Sequence, residues 1–257
     1  MAKNTRFGLT NLCAVSTALR NGGAGPAKIE TVQYPMDNLE INDRYTPWRY
    51  GAGTAQYDVE FDLLADVTLD LFGVHGFRVA AGETAPSTVS IYTATAAATL
   101  SSPTTQTTGL ALARDCGYAP TSPVTARYVR FRFPTTASGF SVGNFFAGAM
   151  TDTGRLYSPQ ASQEIDLNRR DVTTVGGGLL VNYVGDEGGT FVLPFNKITT
   201  TVKDMLLLIA RNQNPVTYFD PFDRVFQVLV VDGRFKIDHD WSPTDLWSGT
   251  LTLMRLP

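Results

Sequence analysis

The sequence predicts a mainly β chain of two domains, residues 1–150 and 151–257, with a single helix in the second. Three observations carry this expectation. Apolar and polar residues alternate at period two through several segments, which puts the apolar set on one face of a strand. Only one stretch switches to helical spacing: Ile198, Val202, Met205, Leu206 and Ile209. A polar break, Thr151-Asp152-Thr153-Gly154, separates the two strand-rich halves. The length of 257 residues suits two domains at roughly 100–200 residues each.

Residues 1–50 read as an irregular segment with short strands. Asn21-Gly22-Gly23-Ala24-Gly25-Pro26 is a loop by its turn chemistry, and Ala27 to Tyr34 is a short strand. The clearest strand follows. Tyr57, Val59, Phe61 and Leu63 alternate with Asp58, Glu60 and Asp62, and Val67, Leu69 and Leu71 continue the pattern. Val74 to Val79 and Thr88 to Ala94 are further strands. Residues 95–109 are mostly Ala, Thr and Ser and read as a long exposed loop. Arg127 to Phe133 is a strand with arginines interleaved among aromatics, and Phe140 to Ala149 closes the first domain.

In the second half, Ile165 to Leu167 and Val172 to Val184 are strands, the latter interrupted by Gly176-Gly177-Gly178. Gly185-Asp186-Glu187-Gly188-Gly189 is a turn, and Thr190 to Phe195 a strand. The helix spans about 199–211, with an N-cap among Thr199 to Thr201 and a stop at Asn212. Val216 to Phe219, Val225 to Val231, Phe235 to His239 and Thr250 to Leu256 complete the set. Val231-Asp232-Gly233-Arg234 forms a hairpin turn.

Composition narrows the function. A formal net charge of −3 supplies no basic field for nucleic acid or membrane. No apolar run reaches the roughly 18 residues of a membrane-spanning helix. The opening Met-Ala-Lys-Asn-Thr-Arg lacks the apolar core of a secretory signal, so synthesis in a cytoplasm is expected. Cys13 and Cys116 form no Cys-x-x-Cys pair, and two His with two Cys spread along the chain make no zinc site. Each cysteine is expected to pack as a small apolar residue.

The candidate sites each have a structural reading beside the chemical one. His75 can act as base or ligand, but no acid or nucleophile forms a motif beside it, so a packed histidine is favoured. Asp238-His239-Asp240 can hold a cation, yet strand alternation splits His239 from the two acids. Neither glycine run leads into a phosphate loop, and Gly73-x-x-Gly76 is too weak to specify one. Asp58, Glu60 and Asp62 share one strand face and read as a wet sheet surface, not as two carboxylates converging in a cleft. Arg127 is separated by alternation from Arg130 and Arg132, and a solvated or salt-bridged face is expected there. Tyr45, Trp48 and Tyr50 are the one proposed contact site. They form either an aromatic platform for a glycan or partner, or, for Trp48, a plug in the core. Gly-x-Ser-x-Gly and His-Glu-x-x-His are absent. No catalytic residue, cofactor or metal is predicted, and the chain reads as a non-enzyme.

Two resemblances extend this reading. Asp37-Asn38-Leu39, Pro47-Trp48-Arg49, the strand Ala55 to Leu63 and the run Ala126-Arg127-Tyr128-Val129-Arg130-Phe131 resemble a galactose-binding-like, or discoidin-type, jelly roll. Such domains bind sugars or lipids through loops at one end of the sandwich. Residues from about 155 onward resemble the tail-tube or distal-tail fold of long-tailed bacteriophages. The carriers are Phe191-Val192-Leu193-Pro194-Phe195, the helix ending near Arg211, Pro215 to Pro221 and the final strand Gly249 to Leu256. That resemblance implies a split β-barrel with one flanking helix. Together they imply a virion structural protein of a phage tail tip, made in the host cytoplasm. Its expected partners are copies of itself in a ring (hexamer or trimer) and other tail proteins: tail tube, hub and tip fibres. DNA would pass the lumen without specific binding. The alternative is a carbohydrate-binding module contacting a host-surface glycan.

Overall fold

A computed structural model of the chain describes residues 5–15, 17–20, 47–50, 56–79, 86–96, 102–134, 139–154, 162–166, 169–173, 179–183, 188–212, 214–220, 224–231, 236–240 and 246–256. The first strands are β1 (Arg6–Gly8), β2 (Thr17–Arg20), β3 (Trp48–Tyr50), β4 (Tyr57–Leu69), β5 (Leu71–His75), β6 (Arg78–Val79) and β7 (Thr88–Ala94). Then come β8 (Thr104–Ala111), β9 (Asp115–Tyr118), β10 (Val124–Phe133), β11 (Phe140–Val142), β12 (Asn144–Gly148) and β13 (Met150–Asp152). The remainder are β14 (Ser162–Asp166), β15 (Arg169–Thr173), β16 (Leu179–Tyr183), β17 (Gly188–Ile198), α1 (Thr200–Ala210), β18 (Val216–Phe219), β19 (Val225–Val230), β20 (Lys236–Asp240) and β21 (Leu246–Arg255). The mainly β class, with one α-helix among the described residues, is as the sequence predicts. The chain divides into two compact units, Gly8–Met150 and Met1–Phe7 with Thr151–Pro257.

Gly8–Met150 is a β-sandwich. One layer is the five-stranded sheet β2-β4-β10-β7-β8; the short sheets β12-β5-β9 and β3-β11-β6 contribute the rest. Antiparallel pairing sets Tyr57 opposite Phe133, Val59 opposite Phe131 and Phe61 opposite Val129. Every second residue of β4 and β10 therefore enters the core, where Phe72 and Val74 of β5 and Phe145 of β12 meet them. Ring centroids lie 4.6 Å apart for Phe131–Phe145 and 4.8 Å for Phe133–Phe140. Aromatic pairs at such distances each add about 0.5–1.5 kcal/mol beyond area burial.

Two sequence expectations change here. Residues 95–109 do not form one long loop, because Thr104–Ala111 is β8, paired with β7 through Thr93↔Thr104, Ile91↔Thr107 and Val89↔Leu110. The β-branched threonines that looked like low complexity suit an exposed edge strand. Gly109 sits in this strand at φ +68°, beside the irregular stretch of the pairing. Phe140 to Ala149 is not one strand either; it breaks at Gly143 into β11 and β12, which join different sheets. The short strand expected at Ala27 to Tyr34 lies outside the described residues.

In the second unit the main sheet has the order β13-β1-β18-β19-β21-β17-β14, with β20 added against β21. Among the described residues its two end strands do not pair, so the sheet is open and forms no closed barrel. A separate hairpin pairs β15 with β16. The helix expected at about 199–211 is α1. The Thr199 hydroxyl accepts from the Val202 N–H, and Val202, Leu206, Ile209 and Ala210 are buried. The chain's opening strand, assigned by sequence to residues 1–150, lies instead between β13 and β18 of this sheet. Phe7 is fully buried and stacks on Tyr218 at 5.4 Å, while the Arg6 guanidinium sits 5.2 Å from the Phe219 ring. Three residues are too short to carry a readable period, so only pairing reveals where β1 belongs.

Candidate functional site

The most polar constellation among the described residues lies on the face of β4 and β10 turned away from the aromatic core. Arg132 grips Asp58 with two bonds of 2.8 Å, and Arg127 grips Asp62 at 2.7 and 2.8 Å. Between them, Arg130 bonds Glu60 through both Nε, at 2.5 Å, and Nη2, with its Nε also 3.5 Å from Asp58. Asp58, Glu60 and Arg130 are all buried. The wet acidic face expected from the sequence is therefore a neutralised ladder of three carboxylates and three guanidiniums. Alternation correctly put the acids together; what it lacked was the partner strand, 65–74 positions later. Planar two-bond pairing to charged groups is the strong class of hydrogen bond, and it offsets desolvation that an unpaired buried charge would incur in full.

Arg127 joins this face through an irregularity. Pairing runs Val67↔Ala126 and then Asp62↔Tyr128, so residues 63–66 bulge out of β4. Leu64, at the bulge, has φ +69° and donates its N–H to Asp62 Oδ1 at 2.8 Å. A left-handed leucine is uncommon, and its exposed side chain (59%) gains nothing from the core. The bulge thus brings Arg127, which strict alternation separates from Arg130 and Arg132, onto Asp62. The Arg127 hydrogen bond is the first cause holding the Asp62 carboxyl below the usual carboxylate range.

The sequence-predicted contact residues do not assemble into a described surface. Trp48 is fully buried, stacked on Tyr57 at 5.4 Å and edge-on to Phe140 at 5.9 Å. Of its two readings it takes the core plug, which leaves no ring face for a sugar. Tyr45 lies outside the described residues; Tyr50 is described by its backbone alone, opposite Phe140 in β3–β11.

His75 is buried with Asp115, Nδ1 to Oδ1 3.3 Å, and the same carboxylate oxygen takes the Gly76 N–H at 3.3 Å. This is the packed histidine, with an acid from β9 that sequence spacing could not pair with it. Asp238, His239 and Asp240 lie on β20 opposite Ser248, Trp247 and Leu246. Cys13 and Cys116 are free thiols packed in the sandwich core. Burial raises both thiol pKa values, that of Cys116 to about 11.

Sequence reading missed a cleft at one end of the five-stranded sheet. Thr93 and Thr95, Ser102 and Thr104, and Thr125 line a partly open volume of about 180 Å³, closed by Ala94 and Pro103. Gln106 Nε2 donates to the Thr93 hydroxyl at 2.8 Å. The one available signal was the density of Thr and Ser in 93–108, which was read as loop composition.

No protein-family model matches the chain, and no curated protein matches it. Among solved structures it is similar to chitosan-binding module 1 of a chitosanase/glucanase from Paenibacillus sp. IK-5, at 20% identity and a TM-score of 0.43, covering 55% of this chain and 99% of that one. Chitosan-binding module 2 of that enzyme, in complex with chitotriose, gives 16% and 0.43 over 54% of this chain and 100% of that one. The CBM32-1 module of a family 31 glycoside hydrolase from Clostridium perfringens gives 10% and 0.44 over 55% and 99%. At these scores the likeness carries neither ligand nor activity over to this chain.

Two measurements check the ladder. In urea unfolding of the full chain, Glu60→Ala should cost about 3–5 kcal/mol by leaving Arg130 buried with one fewer partner, whereas Glu60→Leu with Arg130→Met should recover most of it. A cost for Glu60→Ala within about 0.5 kcal/mol, the range of ordinary surface changes, would mean the pair is not buried. The second concerns acid. Because Asp62 is depressed in the folded state, its contribution is complete above the unfolded carboxylate value, about 3.9, and fades as pH falls through the folded one. Asp62→Asn should therefore flatten the stability-against-pH curve below about pH 4; an unchanged acid limb would contradict the pairing.

Proposed function

We propose that the chain is a non-catalytic recognition protein, in which the sandwich Gly8–Met150 is a carbohydrate-binding module presented by the second unit. The observation that carries this is how the module is spliced in. It leaves the second unit's sheet after β1 and returns at β13, and those two strands are neighbours in that sheet. Insertion between adjacent strands is the arrangement a fold tolerates when the inserted domain's two ends lie close together, and it leaves that domain a compact unit of its own. The ligand class follows from the resemblance of Ala126 to Phe131, now the central strand β10, to the galactose-binding-like jelly roll. The neutralised ladder beneath that strand gives such a module a rigid backing.

A glycan array probed with the full chain tests this reading. Saturable binding to a restricted set of host-surface glycans is the expected result. A blank array across neutral and acidic glycans at high protein concentration, with no sugar bound in solution titration either, overturns it.

The second reading, a virion tail-tip component made in the host cytoplasm and assembled as a ring, is favoured by the open sheet of the second unit. Among the described residues β13 and β14 are each paired on one side only, and an unpaired strand edge is what a neighbouring copy can complete. Size-exclusion chromatography with light scattering should then show a closed oligomer at high concentration. A strict monomer at every concentration argues against autonomous ring formation.

A further inference from the structure

We propose that the cleft at the end of β7, β8 and β10 is a site for one neutral, polyhydroxylated sugar unit. This deepens the carbohydrate-binding reading and rests on it. The lining fixes the chemistry. Thr93, Thr95, Ser102, Thr104 and Thr125, each bearing a hydroxyl, line the space, and among the described residues no charged side chain does. Each hydroxyl both donates and accepts, which matches the mixed donors and acceptors of a sugar ring. A phosphate, sulfate or carboxylate would find no cation among the described lining residues. Arg127, two residues along β10 from Thr125, is already held by both oxygens of Asp62.

The cleft also has a fixed edge. Thr93 is almost wholly buried, and its oxygen takes the Gln106 amide, which leaves its proton to be donated. Thr93 and Thr125 stand on paired strands of one sheet, with Ala94 opposite Tyr128 and Thr93 opposite Val129, so their spacing is set by backbone pairing and not by a loop. A volume of about 180 Å³ suits one ring and not an extended oligosaccharide. Among the described residues no aromatic side chain lines it, so binding is weak, on the order of millimolar, and selectivity comes from hydroxyl geometry.

The test is saturation-transfer NMR and titration of the full chain with methyl galactoside, methyl glucoside, N-acetylglucosamine and glucuronic acid. At least one neutral sugar should bind, and glucuronic acid should not compete with it. Thr125→Val keeps the side chain's shape and removes a hydroxyl; it should weaken binding about fivefold. Thr104→Trp, at an exposed position, fills the cleft and should abolish binding while the urea transition stays in place. Sugar or array binding that survives Thr104→Trp overturns the cleft and leaves the carbohydrate reading standing. Preference for glucuronic acid overturns the assigned chemistry. Absence of any binding, on the array as well as in titration, overturns both.

Discussion

The pairing of β4 with β10 is the constraint on which the sandwich depends. One face of that ribbon supplies Val59, Phe61, Val129 and Phe131 to the core; the other carries the buried carboxylates and guanidiniums. Because the side-chain period is two, a slip of one residue would drive charges into the aromatic core and rings onto the ionic face. Buried ion pairs contribute little net stability compared with well-packed apolar residues. Their value here lies in register: an acid misplaced by one position loses its guanidinium and stays buried. The ladder makes wrong alignments costly, while the aromatic face makes the right one favourable.

That division explains what the sequence discloses and what it hides. Alternation revealed the strands, because burial on one face writes a local pattern. The helix was legible for the same reason, with a different period and Thr199 as its cap. The meaning of the acidic face was hidden, since a carboxylate that faces water and one that faces an arginine of another strand look alike along the chain. His75 and Asp115 were similarly opaque, 40 positions apart. The threonines of β8 were misread because an edge strand exposed on both sides has little apolar signal to alternate. Trp48 shows a different ambiguity: aromatic residues cluster at binding surfaces and in cores alike, and burial decides for the core plug that the sequence already offered.

The candidate site follows from the same economy of pairing. Each arginine of this ribbon is already held by a carboxylate, so the chemistry left open at the sheet's end is that of neutral hydroxyls. The exposed Leu64, held at positive φ by the Asp62 carboxylate, stands near the same end of the ribbon, as the pairing of Thr125 with Thr68 shows. Asp62 therefore has two duties, to receive Arg127 and to fix the bulge.

The splice at β1 and β13 bears on the order in which the chain can fold. Thr5 and Thr153 share two hydrogen bonds, yet they stand 148 positions apart. A loop that long closes at an entropic penalty, and during synthesis β1 leaves the ribosome long before its neighbour exists. The sandwich removes most of that penalty. Within it, Leu12 N–H bonds the Ala147 carbonyl at 2.9 Å and Asp70 N–H bonds the Gly148 carbonyl at 3.2 Å, so its own folding draws its two ends together. What would otherwise be a search across the chain becomes the closing of a short turn. The sandwich is thereby the folding clamp for the sheet that it interrupts.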